Sequence, residues 1–90
     1  MSDPIFLKNE EFIWSTLGDE AVLLNVSSGD YFGLNEVGLS FWEKIDGQRP
    51  LTEIVAMMLD EYEVDRMELM HDLAELASEM ASKGLLKKRS

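Results

Sequence analysis

Gly29-Asp30-Tyr31-Phe32-Gly33-Leu34-Asn35-Glu36-Val37-Gly38-Leu39-Ser40-Phe41-Trp42, residues 29–42, is where the chain changes its period. Up to Leu34 the apolar residues come in short runs of aromatic and β-branched type, which suit a pleated, half-buried strand. From Asn35 onward Gly38, Phe41, Trp42 and Ile45 recur at helical spacing, so a helix begins there. Asn35 is the expected N-cap, because its side-chain carbonyl can accept from an orphan N–H of the first turn. Asp46-Gly47 is the expected stop. The chain therefore divides at about Asn35 into a strand half and a helix half.

Working back from this junction, Ala21–Val26, Phe12–Thr16 and Ile5–Leu7 read as further strand-like runs. Gly18-Asp19 and Ser27-Ser28-Gly29-Asp30 separate them as turn-forming clusters, giving a small antiparallel meander. For the last hairpin, a three-residue loop at Ser28-Gly29-Asp30 is expected. It places Phe32 and Leu34 on one face with Val22, Leu24 and Val26, and Gly29 or Asp30 tolerates the positive φ such a loop requires.

Working forward, Thr52 is the expected cap of a second helix carrying Ile54 or Val55, Met58, Leu59 and Tyr62 on one stripe. Asp65 with Glu68 forms a capping-box pattern that starts a third helix. Leu69, Leu73, Leu76 and Met80 supply its buried stripe up to a Gly84 stop, after which Leu85-Leu86 are expected to dock. The fold class expected is α+β and winged-helix-like: an N-terminal three-stranded antiparallel sheet (strands about 5–34) followed by three helices (about 36–46, 52–62 and 66–83). Residues 1–90 are read as a single domain, since a chain of 90 residues has room for one core.

Composition decides which partners such a shape can have. The chain carries 18 Asp and Glu against 8 Lys and Arg, a formal net charge of -10. Phosphate backbones and anionic lipid surfaces meet repulsion on most faces, so neither nucleic acid nor membrane is expected as a partner. A winged helix that reads DNA needs Arg, Lys, Asn or Gln on its last helix. Between Asp65 and Lys83 this chain has five acids, Asp65, Glu68, Asp72, Glu75 and Glu79, against Arg66 and Lys83. The winged-helix DNA-binding or regulatory module is thus the competing reading of the shape, and its charge opposes it.

Catalysis finds no constellation. The chain has no cysteine and one histidine, His71. There is no nucleophile elbow, no phosphate-cradling glycine loop and no metal-spaced ligand set, so no enzyme, no metal site and no cofactor are expected. His71 and Glu75 stand at i, i+4, a spacing that a surface pair also satisfies. Asp60, Glu61, Glu63 and Asp65 lack the spacing of a calcium loop. The N-terminus shows no signal-peptide pattern and no run approaches the roughly 18 apolar residues of a membrane span, which predicts a cytoplasmic location.

Binding through backbone and apolar surface remains. An open sheet leaves unpaired N–H and C=O groups on its edge strand. Tyr31-Phe32-Gly33-Leu34 carries no charge or proline to protect that edge, and Gly33 either lets another backbone come close or packs tightly against Trp42. Met57, Met58, Met67, Met70 and Met80 all lie in the second and third helices. Since the leucine stripe supplies the core face of the third helix, Met67, Met70 and Ala74 beside it are candidates to line a groove.

The run Gly29 to Gly38, with Phe41-Trp42, Ile45-Asp46-Gly47, Thr52-Glu53-Ile54 and the closing Lys83-Gly84-Leu85-Leu86, resembles the PqqD-like family, the recognition elements of ribosomally made, modified peptides. The resemblance extends from about Phe12 to Lys87. It implies a non-catalytic adaptor that binds the leader segment of a precursor peptide by β-strand addition and presents it to a leader peptidase or another modifying enzyme. The implied strand positions are Tyr31, Phe32, Gly33 and Leu34. With them the helical periodicity places Met67, Met70, His71 and Ala74 in the groove, and Arg66 where it would meet an acidic leader residue. Trp42 and the Tyr-Phe-Gly-Leu-Asn segment resemble the stand-alone proteins of lasso-peptide pathways. The alternative is the pyrroloquinoline quinone (PQQ) pathway member, a peptide chaperone working with a radical S-adenosylmethionine enzyme.

Overall fold

In the computed structural model, which describes residues 3–89, the elements run β1 (Phe6–Lys8), β2 (Phe12–Leu17), β3 (Glu20–Asn25), β4 (Tyr31–Leu34), α1 (Glu36–Lys44), α2 (Leu51–Leu59), α3 (Arg66–Ser82) and β5 (Leu86–Lys88). The architecture is α+β. Strands β2, β3 and β4 form an antiparallel three-stranded sheet in that spatial order. β1 does not join it. It pairs instead with β5 in a separate two-stranded ribbon, Leu7 opposite Lys87.

α1 and α3 begin where their caps put them. Asn35 Oδ1 accepts from Gly38 N–H at 2.9 Å, and Asp65 Oδ2 accepts from Glu68 N–H at 3.1 Å. α1 ends at Lys44, and the Asp46 carboxylate then accepts the N–H groups of Gln48 and Arg49, with Gly47 at φ +80°. These two N–H groups hold the Asp46 carboxyl below the usual carboxylate range. α2 differs from expectation at its start. Pro50 takes the N-cap position in extended backbone, its carbonyl accepting from Ile54 N–H at 3.2 Å, and Thr52 turns its hydroxyl to the carboxylate of Asp3.

The β3–β4 hairpin also departs from the expected register. Leu23 stands opposite Phe32 and Ala21 opposite Leu34, so the connection is the four-residue loop Val26–Gly29. Asn25 builds it: its side chain accepts from Ser27 and Ser28 N–H at 2.8 and 3.0 Å, while Gly29, at φ +82°, donates to the Asn25 carbonyl at 2.8 Å. An even loop reverses the parity of an odd one. Ala21, Leu23 and Leu34 are buried, and Val22, Leu24 and Val26 face out.

The inner face of the sheet packs on α1. Leu23, Phe41, Trp42, Ile54, Met58, Leu73 and Met80 form the fully buried centre. Trp14 meets Trp42 edge to face at 5.7 Å, and Lys8 Nζ lies 4.8 and 4.9 Å from the two ring centroids. Burial in this aromatic cleft pushes the Lys8 ammonium below its usual pKa, opposed by the charges of Glu43 and Asp46. The chain ends are stitched together: Leu85 and Leu86 are buried, Asn9 N–H donates to Leu85 O at 2.9 Å, and Arg89 N–H to Ile5 O at 2.7 Å.

Candidate functional site

β4 is an edge strand, and ladder parity tells which of its groups are free. Asn25 N–H bonds Asp30 O at 2.8 Å, which continues the β3–β4 ladder and makes 25/30, 23/32 and 21/34 the hydrogen-bonded pairs. Residues 24/31 and 22/33 are the non-bonded pairs. The backbone N–H and C=O of Tyr31 and Gly33 therefore point away from β3, toward the open edge. A Cβ built on Gly33 meets nothing within 4 Å, so the glycine does not pack against Trp42, and the approach to the edge is clear. The tightly placed glycine is Gly38, whose Cβ position lies 3.2 Å from Leu34 Cδ2.

Beyond that edge lies α3. A groove of about 580 Å³ separates the two, with Phe32, Leu34 and Val37 on one side and Asp72, Leu73, Leu76 and Glu79 on the other. Its floor is apolar, because Leu34 and Leu73 are core residues, and its rim on α3 is acidic. A second cavity of about 340 Å³ continues past Asp30, Tyr31 and Phe32 to Lys83, a cation at the far end. An extended chain laid along β4 would thus gain backbone partners on one side and alternating apolar contacts on the other.

Of the residues singled out in the sequence, the β4 set assembles and the α3 set does not. Phe32 is half-buried against the core, Leu34 is buried, and Gly33 is open at the edge. The Tyr31 ring points to the outer face, 77% exposed, and only its backbone addresses the edge. Arg66, Met67, Met70, His71 and Ala74 line neither groove cavity beside β4. Met70 packs against the core, Met67 is 76% exposed, and His71 pairs at 3.3 Å with Glu75 on the helix exterior. The cause is the flank that α3 turns to β4, which is the one opposite Met67, Met70 and Ala74. The buried stripe of α3 is Leu69, Leu73, Ala77 and Met80, not Leu76, so Leu76 leans into the groove with Asp72 and Glu79.

One further polar cluster lies away from the groove. Ser40 Oγ donates to Glu61 at 2.7 Å, Lys44 Nζ donates to Ser40 Oγ at 2.8 Å, and Lys44 pairs with Glu61 at 2.5 Å. The Lys44 and Ser40 hydrogen bonds hold the Glu61 carboxyl below the usual range, and this triad ties α1 to the segment after α2. Among the described residues no three metal-ligating side chains converge, and no helix is long and apolar enough to cross a membrane.

The family described as "Coenzyme PQQ synthesis protein D (PqqD)" matches residues 20–86. Two solved structures share the fold over almost all of both chains. One, "TbiB1 in Complex with the TbiA(beta) Leader Peptide", has a TM-score of 0.82 and 32% identity, covering 92% of this chain and 96% of its own. The other, "Lasso peptide synthetase B1 complexed with the leader peptide", has a TM-score of 0.80 and 23% identity, covering 91% and 96%. No curated protein sequence matches the chain.

Proposed function

The chain belongs to the PqqD family, and from that premise we propose that it is a leader-peptide adaptor of a lasso-peptide pathway. It captures the leader of a precursor peptide as an added strand on β4 and presents it to a leader peptidase or another modifying enzyme. The observation that carries this reading is the open β4 edge facing the α3 groove, with Tyr31 and Gly33 backbone groups free on the edge and an apolar floor at Leu34 and Leu73. A similar chain, 32% identical, is described in complex with a leader peptide. The peptide's alternate side chains enter the groove between Phe32, Leu34, Leu73 and Leu76, and Asp72 and Glu79 favour basic side chains at its rim.

The adaptor role requires no catalytic group. The open edge and groove are preformed, so the ordering cost of binding falls on the peptide. The test is a fluorescence-polarisation titration with synthetic leaders of the precursor genes beside this one. Saturable binding of one leader, competed by the same peptide unlabelled, is the expected result. Absence of binding to every such leader would overturn the proposal.

A further inference from the structure

The sheet has two faces, and the described residues cover one. On the outer face Ile13, Leu24 and Tyr31 form one cross-strand row, and Ser15, Val22 and Gly33 the next. Ile13, Val22, Leu24 and Tyr31 are 55, 48, 39 and 77% exposed, and Leu17, at the end of β2, is 85% exposed. An apolar face this continuous on a small domain marks an interaction surface.

Charge identifies the kind of occupant. No Lys or Arg occurs between Asn9 and Glu43, while Glu10, Glu11, Asp19, Glu20, Asp30, Glu36 and Glu43 do. Glu11, Asp19, Glu20 and Asp30 lie on the sheet or its turns and are exposed. Two copies placed face to face would set these acids against one another, and an anionic lipid surface would be repelled in the same way. The complement of this face is a protein surface with an apolar centre and a rim of Lys and Arg.

Position identifies the occupant further. A cavity of about 330 Å³ lined by Leu17, Glu20, Val22, Gly33 and Leu34 joins the outer face to the β4 edge. A strand added to β4 continues the sheet, and every second side chain of that strand emerges on the outer face beside Tyr31 and Gly33. A protein docked there touches adaptor and peptide together. We infer that the outer face of the β2-β3-β4 sheet is the docking surface for the enzyme that acts on the bound peptide, a partner with a basic-rimmed apolar patch. This inference rests on the leader-binding reading above.

The experiment compares the full chain with an Ile13→Thr/Val22→Thr/Leu24→Thr variant, threonine being chosen because it retains strand preference. Each is titrated with fluorescent leader and, separately, leader-loaded, with the purified peptidase or modifying enzyme encoded beside the gene. The variant is expected to keep leader affinity within about twofold and to lose at least about tenfold in enzyme affinity. Wild-type docking is expected to weaken as salt rises from about 50 to about 500 mM, as charge complementarity requires. Wild-type enzyme affinity in the variant, or docking indifferent to salt, would overturn the inference. So would micromolar self-association of the wild type that the triple substitution abolishes. If the triple variant melts without a cooperative transition, Asp19→Lys/Glu20→Lys reads the same face through its rim and is expected to weaken enzyme docking alone. A wild type that binds no leader defeats the leader-binding reading, whereas leader binding with unchanged docking in the variants defeats only this one.

Discussion

Replacing Gly33 with proline tests the edge directly, because parity separates its effect on the fold from its effect on binding. The Gly33 N–H points away from β3, so removing it breaks no bond of the β3–β4 ladder. Proline is tolerated on an edge strand when its missing N–H faces solvent, and the restriction it places on Phe32 is to the extended backbone Phe32 already has. The melting temperature is therefore expected to move by no more than about 8 °C, as a change of roughly 1 kcal/mol or less would give in a domain of this size. An added strand, by contrast, loses the donor for one of its carbonyls and meets the pyrrolidine ring on the approach. A buried acceptor left without its donor costs about 1–3 kcal/mol, which is roughly a 5- to 150-fold rise in Kd. Gly33→Ala is the control. Its Cβ meets nothing in the free protein, so its fold and its N–H are both retained. Polarisation titrations of the three proteins, with thermal melts alongside, read the result. A folded proline variant that binds the leader like the wild type would refute strand addition at β4. The same substitution at Phe32 or Leu34 removes a bond to Leu23 or Ala21 and is expected to appear as lost stability instead.

Three further outcomes follow from the packing. Leu76→Asp, at the groove, is expected to weaken leader binding by about tenfold while keeping a cooperative melt at a lowered temperature, since Leu76 also packs against the core, whereas Met67→Ala and His71→Ala on the other flank change binding less than about twofold; titrations showing the reverse order would place the peptide on that flank. Glu61→Gln removes the charge from the Lys44–Glu61 pair, which lies partly in solvent and contributes about 0.5–1 kcal/mol. Because the folded Glu61 pKa lies below its ordinary 4.5, this stability is present above 4.5 and is lost as pH falls through the lowered value, so urea melts of wild type and variant are expected to converge there. Leu86→Ala, in the buried tail strand, is expected to cost about 2–4 kcal/mol and to lower the melting temperature by more than about 10 °C; a shift of a degree or two would mean the β1–β5 ribbon is not part of the folded unit.

The starts of α1 and α3 were legible because their signals are local, whereas Thr52 does not cap α2. Asn35 and Asp65 cap within three residues of themselves, and no distant contact is needed to choose them. The ribbon was not legible, since Leu86 meets Lys8 across almost the whole chain and neither three-residue run identifies the other. The α3 face failed for a narrower reason. Leu76 and Ala77 are adjacent, and spacing admits either with Leu69, Leu73 and Met80. Hydrophobicity selects leucine, but close packing takes the smaller Ala77, which is 3% exposed. With Ala77 inside, Leu76 is left at the margin of the stripe beside Asp72 and Glu79, and it is this flank that faces β4, while Met67, Met70 and Ala74 lie on the opposite one, a choice of flank that spacing does not make.

The hairpin register failed for a different cause, and that cause bears on function. Period-two reasoning assumes that one face of a strand is apolar and the other polar. In β3 both are: Ala21 and Leu23 on one, Val22 and Leu24 on the other. The β-branched face looks more like a core than the face with an alanine, so pattern alone puts Val22 and Leu24 inside. The Asn25-anchored loop puts them outside. A strand apolar on both faces ordinarily sits in the middle of a layered protein, covered twice. Here α1 provides one cover, and among the described residues no second element lies over the other side. The ambiguity that misleads the register is therefore itself informative, because selection for solubility in a free monomer would favour polar residues at 13, 22 and 24. On the docking inference made above, their apolar character is that of a face covered by the partner enzyme.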